Sequence, residues 1–255
     1  MAATNATKGS ASVQGELWGT RARGWADVQE QAQSELYPPV LDAGCGSGVA
    51  AAIAHERGAR VSGIDAALPL VEIARQRVPG AAFQEGEIEE LPYEDASFDV
   101  VTGFNSFQYA ADPVRALREA RRVIGSGGTV AIVTWGRPED CEASAYLKAL
   151  GSLLPPPPPG APGPFALSEP GALEELVAQA GLTPHAAHEV TTRWDYPDRD
   201  TALRGLLSAG PAVKAIDGGA EDRVSEAVAD SIAPFRTASG GYVIENTWRY
   251  LVAGA

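Results

Sequence analysis

Cysteine, histidine and positive charge are all scarce in this sequence. Two of the 255 residues are cysteines, three are histidines, and 20 are Lys or Arg against 33 Asp or Glu. The cysteines have neither the spacing of a zinc site nor the number needed for a disulfide framework, so we expect no metal site. The densest basic spot is the pair Arg121-Arg122. Without a basic face to neutralise phosphates, we expect no nucleic-acid partner.

Long apolar runs are absent as well. The run at residues 49–54 is far shorter than the roughly 20 residues that a helix needs to cross a bilayer. Residues 1–12 are small and polar and lack the apolar centre of a signal peptide. Cys45 lies in a glycine loop, where a structural disulfide is implausible, and this favours a reducing compartment. We expect a cytoplasmic protein with no membrane segment.

What the sequence does contain is a region, residues 40–135, in which strand and helix patterns alternate. Predicted strands lie at residues 40–41, 60–64, 81–85, 98–102 and 129–135, and predicted helices at residues 49–58, 68–78 and 113–125. Asp112 and Pro113 suit the N-cap and first position of the last helix. Strands that alternate with helices pair in parallel through right-handed crossovers. The sequence therefore predicts an α/β fold.

The N-terminal part of the chain has a different pattern. Residues 1–12 are predicted to be a disordered tail, and residues 15–36 an amphipathic helix that Pro38-Pro39 terminates. We therefore divide the chain into a tail and lid helix over residues 1–37 and an α/β domain over residues 38–255.

The alternation also breaks down after residue 135. Helices are predicted at residues 142–150, 170–180 and 201–233, the last interrupted at residues 217–219 (Asp-Gly-Gly). A half-exposed strand is predicted at 188–194 and a final strand at 242–253. We expect insertions near residues 138–168 and 195–237 to form a small helical cap on the sheet. The proline run at 155–159 favours a stiff loop within this cap over a ligand for an SH3-type partner.

The segment between the first strand and the first helix, Asp42-Ala43-Gly44-Cys45-Gly46-Ser47-Gly48, is the most informative. Its glycines allow a sharp turn and a close approach by a ligand, and the following helix N-terminus favours an anionic group. The dinucleotide fingerprint would require glycine at position 49, which is Val49, and no Gly-Lys-Ser/Thr follows as in a P-loop. The loop therefore predicts a ligand other than a dinucleotide or a P-loop nucleotide.

Asp65 ends the second predicted strand, 21 residues after Gly44. In a doubly wound sheet the carboxyl end of that strand lies beside the first glycine loop, so this carboxylate can accept hydrogen bonds from both hydroxyls of a ribose. The alternative is that Asp65 only caps the next helix. The glycine loop favours ribose binding.

Five motifs occur in the order found in one family. They are residues 40–48 (VLDAGCGSG), 63–65 (GID), 86–92 (GEIEELP), 97–101 (SFDVV) and 123–129 (VIGSGGT). Over residues 40–135 the chain resembles the class I S-adenosylmethionine-dependent methyltransferases, specifically the type 11 group that acts on small molecules. The resemblance implies a Rossmann-like sheet of seven strands, parallel except for an antiparallel last strand at residues 242–253.

The resemblance also implies a cofactor, S-adenosylmethionine, and residues that hold it. Gly44 and Gly46 would face its methionine part, Asp65 its ribose and Glu87-Ile88 its adenine, with Glu87 standing where the family usually has Asp. Residues 104–106 would line the site near the sulfonium. The full set of expected cofactor contacts is Asp42, Gly44, Cys45, Gly46, Asp65, Ala66, Leu70, Glu87, Ile88 and Asn105.

The acceptor side is less defined by the sequence. Trp18, Trp25, Gln108 and Tyr109 are the candidates for the lid and the acceptor pocket. Many relatives carry His where this chain has Gln108, and Gln cannot accept a proton at neutral pH, so any general base must come from elsewhere. The three histidines, His55, His185 and His188, are expected at the surface.

We therefore predict methyl transfer to a small-molecule acceptor, in secondary or cofactor metabolism, by a monomer or homodimer. Two alternatives stay open. One is a relative that binds the cofactor but catalyses a cyclisation or another non-methylating reaction, and the other is a non-catalytic partner subunit.

Overall fold

Seven strands form one sheet in the computed structural model, which describes residues 11–29, 41–156, 163–218 and 221–255. The strands are β1 (Leu41–Ala43), β2 (Ser62–Asp65), β3 (Ala82–Glu85), β4 (Val100–Phe104), β5 (Thr129–Trp135), β6 (Thr183–Tyr196) and β7 (Tyr242–Gly254). Their order across the sheet is β3-β2-β1-β4-β5-β7-β6.

The sheet is parallel from β3 to β5 and antiparallel around β7. β1 pairs in parallel with β2 and β4, and the β2–β3 and β4–β5 pairs are parallel too. β7 lies between β5 and β6 and runs antiparallel to both. The predicted α/β class, the seven strands and the antiparallel last strand are all confirmed.

Helices pack on the sheet and above its edge. They are α1 (Ala11–Gly19), α2 (Ala22–Gly24), α3 (Val49–Glu56), α4 (Leu68–Arg77), α5 (Pro113–Ile124), α6 (Ser144–Gly151), α7 (Ala172–Gln179), α8 (Arg199–Leu206), α9 (Gly210–Asp217) and α10 (Glu221–Ile232). α5 begins as predicted, because the Asp112 side chain accepts a hydrogen bond from the Arg115 N–H at 2.9 Å. None of the helices in the described ranges is long and apolar enough to cross a membrane.

The predicted helix over residues 15–36 is wrong in its extent. α1 begins at Ala11, inside the predicted disordered tail, and a break at residues 20–21 separates it from α2 and a π-helical turn that ends at Gln29. A glycine in each piece packs closely on another part of the chain. A Cβ on Gly15 would lie 2.1 Å from the Ala66 carbonyl oxygen, and one on Gly24 would lie 2.1 Å from Ser208 Oγ, so each piece approaches a different neighbour. Residues 1–10 and 30–40, with Pro38-Pro39, lie outside the described residues.

Two further expectations are corrected. The interruption predicted at residues 217–219 is confirmed, since α9 ends at Asp217 and α10 begins at Glu221, but the further break between α8 and α9 was not predicted. β6 begins at Thr183, five residues before the predicted strand. Residues 183–191 are exposed on both faces, so no alternation of apolar residues marks them. Backbone pairing with β7, from Thr183 opposite Gly254 onwards, is what makes them a strand. The proline run at 155–159 falls partly outside the described residues.

Candidate active site

A cavity opens at the carboxyl ends of β1, β2 and β4, where a ligand binds in open α/β sheets. Its empty volume is about 900 Å³ including space open to solvent, within the range of small-molecule sites. We call one wall the floor: Asp42, Gly44–Gly46, Asp65, Ala66, Leu70, Gly86–Glu89 and Phe104–Ser106. We call another part of the lining, which carries most of its aromatic rings, the roof: Gln14, Trp18, Trp25 and Tyr109.

The glycine loop after β1 forms the centre of the floor. Gly44 has φ +83°, and a Cβ there would lie 2.4 Å from the Ser106 Cβ, so both backbone conformation and space require glycine. The N–H groups of Gly44 and Cys45 both donate to the Ile64 carbonyl, at 2.8 and 3.0 Å. The loop is thus tied to the end of β2 by its own backbone.

The Asp65 carboxylate lies between the glycine loop and the start of α4. One carboxylate oxygen accepts the Gly46 N–H and the other the Ala67 N–H, both at 2.8 Å, and Ala67 directly precedes α4. The side chain therefore binds the backbone of Ala67, the residue before the helix, and it also lines the cavity, but it makes no capping hydrogen bond to the helix itself. Each carboxylate oxygen has a second lone pair, so ribose binding stays a prediction compatible with this geometry. Burial raises the pKa of Asp65.

Asp42 is a second buried carboxyl group in the floor. It is 2% exposed, and its Oδ1 accepts a hydrogen bond from Thr102 Oγ1 at 2.8 Å. Burial raises its pKa to about 7, and the negative field of Asp65 acts in the same direction. A cationic group placed in the cavity would favour the ionised form of this side chain.

The segment after β3 supplies Glu87, Ile88 and Glu89 to the floor. Glu89 is 4% exposed and accepts the Asp112 N–H at 2.8 Å, which links the floor to the start of α5. Arg122 on α5 donates to the carbonyls of Leu91 and Tyr93, at 2.9 and 2.7 Å. These bonds hold residues 87–93 against α5.

Asn105 follows β4 with φ +53°, a left-handed conformation that Asn tolerates better than most residues. Its N–H donates to the Val133 carbonyl at 2.9 Å. Its Oδ1 accepts a hydrogen bond from Gln108 Nε2 at 3.0 Å. Gln108 is 2% exposed and does not line the cavity, so it contacts the site only through Asn105.

The roof is built from aromatic rings. The ring centroids of Trp18 and Trp25 are 4.6 Å apart and those of Trp18 and Tyr109 5.8 Å apart, both edge to face. Trp18 Nε1 donates to Gln14 Oε1 at 2.9 Å. Burial raises the pKa of Tyr109, so its phenol keeps its proton at neutral pH. The roof therefore offers apolar rings and neutral polar groups.

Comparison with known proteins identifies a domain family for the segment that forms the floor. Residues 41–132 match the family model described as a methyltransferase domain. The chain carries a class I S-adenosylmethionine-dependent methyltransferase domain. The matched segment holds the whole floor of the cavity and none of the rings of Trp18 and Trp25.

Two curated relatives match this methyltransferase domain. Demethylmenaquinone methyltransferase of Chlorobaculum parvum is 34% identical over 107 residues, which are 42% of this chain and 44% of that protein. Malonyl-[acyl-carrier protein] O-methyltransferase of Erwinia pyrifoliae is 30% identical over 171 residues, which are 67% of this chain and 61% of that protein. The chain thus spans less than two thirds of the length of either.

A solved structure agrees with the fold. The structure of a putative methyltransferase from Bacillus halodurans covers 90% of this chain with a TM-score of 0.56, and 97% of that chain is covered at 15% sequence identity. At this identity the likeness shows the fold alone.

The histidines of this methyltransferase-domain protein are all remote from the cavity. His55 lies beside Gly80, His185 beside Gly254, and the His188 ring stacks on Tyr250 with centroids 4.7 Å apart. No group of three His, Cys, Asp or Glu side chains in the described segments could hold a metal ion.

Of the residues named from the sequence, all except Gln108 line the cavity. Gln14 and Glu89 also line it and were missed. Gln14 lies four residues before Trp18, the spacing at which two side chains meet on a helix, and this signal was available in the sequence. No pattern in the sequence indicates that Glu89 turns inward, because that depends on its bond to the Asp112 N–H.

Proposed function

We propose that this protein transfers the methyl group of S-adenosylmethionine to a small-molecule acceptor. The observation that carries the proposal is the cavity itself, whose floor joins the glycine loop, Asp65, Glu87 and Asn105 at one edge of the sheet. A glycine loop that lines the cavity and a carboxylate with unused lone pairs fit a nucleoside with a slim polar chain.

The floor suggests how the cofactor would be held. Gly44 and Gly46 would face its methionine part. Asp65 would accept hydrogen bonds from its ribose hydroxyls, and Glu87-Ile88 would border its adenine. Asp42 fits a cationic ligand, because its buried carboxyl group lies near a second acid. When bound, the cofactor supplies a methyl group on a positively charged sulfur, which is a good leaving group.

The chain's own contribution is positioning and the exclusion of water. Aligning nucleophile, methyl group and leaving group supplies about 7–11 kcal/mol of a barrier. No histidine lines the cavity, and the Tyr109 phenol stays protonated. Tyr109 therefore suits a hydrogen-bond donor or acceptor to the acceptor molecule. An acceptor with a lone pair available at neutral pH suits this site.

The relatives act, by their names, on demethylmenaquinone and on malonyl-[acyl-carrier protein]. They support an acceptor from secondary or cofactor metabolism. We place the protein in the cytoplasm, as a monomer or homodimer. A non-methylating reaction is the second candidate, favoured by Gln108 at the position where many relatives carry His. Gln108 lies outside the cavity lining, and this makes its effect on chemistry indirect.

The test has two parts. Titration calorimetry should show binding of S-adenosylmethionine and S-adenosylhomocysteine and none of NAD. Incubation of the protein and methyl-labelled cofactor with a small-molecule extract should then move the label into a product. Binding of NAD alone would overturn the cofactor assignment. Cofactor binding with a converted but unlabelled product would favour the non-methylating alternative.

A further inference from the structure

β6 forms one edge of the sheet, and no described strand pairs with its outer side. It pairs with β7 from Thr183 to Tyr196 and with no other strand of the described ranges. Residues 183–191 are also exposed on both faces of the sheet. A free edge presents a row of unpaired N–H and C=O groups, which can pair with a further strand. The outer edge of β6 is therefore a candidate interaction surface.

The structural devices that usually protect such an edge are confined to the start of β6. Proline and β-bulges are two of them. Pro184 and the shift of register between Pro184 and Ala186 lie in the first turn of the pairing with β7. The stretch from Ala187 to Tyr196 contains neither a proline nor a register shift. It also carries Val190, which is 38% exposed. This stretch is available for pairing with a further strand.

The charges on one face of this stretch alternate in sign from strand to strand. Glu189 lies opposite Arg249 of β7, and Arg193 lies opposite Glu245, with Arg193 Nε 3.9 Å from Glu245 Oε1. Glu189 and Arg193 lie two residues before and after Thr191, and they share a face because successive side chains of a strand alternate. A second β6, running antiparallel about Thr191, places each Glu189 opposite an Arg193 and continues the alternation.

Neighbouring registers match less well. An axis at Thr192 would place Glu189 opposite Asp195, and like charges directly opposite each other are destabilising. An axis at Val190 would place Glu189 opposite Thr191 and leave its charge without an opposite partner across the interface. In the Thr191 register the two threonines face each other, and Val190 lies opposite Thr192. Both combinations suit antiparallel sheets. The side chains of β6 are thus complementary to a second copy of the same strand.

We propose that this protein forms a homodimer in which the β6 strands of two copies pair antiparallel about Thr191 and join the two sheets into one. Main-chain hydrogen bonds supply the affinity. The exposed pairs of Glu189 with Arg193 set the register, since exposed ion pairs add little binding energy. The interface uses the same surface on both copies, as two-fold symmetry requires. It does not depend on the reaction that the protein catalyses.

Sedimentation velocity over a range of protein concentrations at one ionic strength tests the pairing. The unaltered protein should dimerise. Glu189→Arg and Arg193→Glu each place like charges opposite each other twice in the dimer, so each should weaken dimerisation about ten-fold. The double variant E189R/R193E should restore it. Within one chain the double variant only adds repulsion from Arg249 and Glu245, so restoration would come from pairing between copies.

A cysteine at the axis tests the register and stands even where a charge variant does not fold. Opposite Cα atoms of antiparallel strands lie about 4.5–5.5 Å apart, within the range of a disulfide. The native Cys45 and Cys141 are buried. Thr191→Cys should therefore form a covalent dimer on mild oxidation. Ala187→Cys is the matched control and should not, because its two copies would lie about 27 Å apart across the axis.

Three results would overturn the proposal. The first is a protein that stays monomeric up to millimolar concentration. The second is a dimer whose double charge variant is no stronger than the single variants. The third is covalent dimerisation that is as efficient through Ala187→Cys as through Thr191→Cys.

Discussion

The floor and the roof of the cavity are built in different ways. The floor is held by backbone hydrogen bonds: the Gly44 and Cys45 N–H groups donate to the Ile64 carbonyl, and the Gly46 N–H donates to Asp65. The roof is held mainly by contacts between side chains, such as the edge-to-face pair of Trp18 and Trp25. Backbone bonds constrain any sequence that forms the loop, whereas ring contacts depend on the particular side chains.

This difference suggests that the floor binds the cofactor and the roof binds the acceptor. A floor built from glycines and strand ends suits a cofactor shared by a whole family, and the family match at residues 41–132 covers it. A roof contributed by α1, the π-helical turn and Tyr109 can change without disturbing the sheet. We infer that the roof is where this protein acquires its own acceptor, and the following experiments compare the two walls.

The largest effect is expected from Gly44→Ala. Alanine is strained at the Gly44 φ of +83°, and its Cβ would lie 2.4 Å from the Ser106 Cβ. Because both effects distort the loop, S-adenosylhomocysteine binding should weaken about a hundred-fold. Gly58→Ala is the matched control, because Gly58 has φ +85° with nothing within 4 Å of the new atom. Calorimetry should show that Gly58→Ala binds S-adenosylhomocysteine with unchanged affinity. Similar losses of affinity in both variants would mean that the floor does not depend on close approach.

Asp65→Ala should weaken cofactor binding about ten-fold or more, because hydrogen bonds to a charged group contribute about 1.5–3 kcal/mol each. Asp198→Ala removes another carboxylate that accepts a backbone N–H near the start of a helix, the 2.7 Å bond from the Thr201 N–H, away from the cavity. This control should lose stability with no change in affinity. If Asp65→Ala behaves like the control, the carboxylate only binds backbone N–H groups.

A pH titration of stability tests the floor's buried charge. Because the folded-state pKa of Asp42 is raised from 3.8 to about 7, the folded protein keeps a proton that the unfolded chain loses. This contribution to stability is complete below pH 3.8 and declines as the pH rises to about 7, by at most about 1.4 kcal/mol per pH unit. Denaturant unfolding should show that the difference in the free energy of unfolding between the protein and Asp42→Asn changes in this pH window.

The control for this titration has the opposite sign. The pKa of Asp198 is lowered by the Thr201 N–H, so its stabilising contribution should disappear as the pH falls, and Asp198→Asn should not reproduce the effect of Asp42→Asn. A stability difference between the protein and Asp42→Asn that is constant from pH 4 to 7 would contradict a buried, proton-retaining Asp42.

The smallest effect concerns the lid. Val28 and Gln29 are 8% and 1% exposed, and Tyr196 OH donates to Gln29 Oε1 at 2.6 Å, so this end of the N-terminal segment packs in the core. α1 carries Trp18 over the cavity and is the part that can act as a lid. Hydrogen exchange at Glu16–Trp18 should slow when S-adenosylhomocysteine is added, and exchange at Val28 and Gln29 should not. Equal protection of α1 with and without ligands would place it in the core.

The sequence by itself determined the floor. The spacing of Gly44, Gly46 and Asp65 after predicted strands located the cavity, because the carboxyl ends of parallel strands meet at one edge of a sheet. Local capping rules likewise located the start of α5 at Asp112 and Pro113. The capping rules act over a few residues, whereas Gly44 and Asp65, 21 residues apart, are brought together by a strand arrangement that the α/β pattern predicts.

Only the tertiary structure decided the roof and the environment of the acids. On either side of the break after α1, Gly15 packs on Ala66 and Gly24 packs on Ser208, which are far apart in the sequence. β6 begins before its apolar alternation does, because β7 pairs with it from Thr183 onwards. Such long-range packing and pairing leave no local pattern, so neither the course of the N-terminal segment nor the raised pKa of Asp42 was predictable from the sequence.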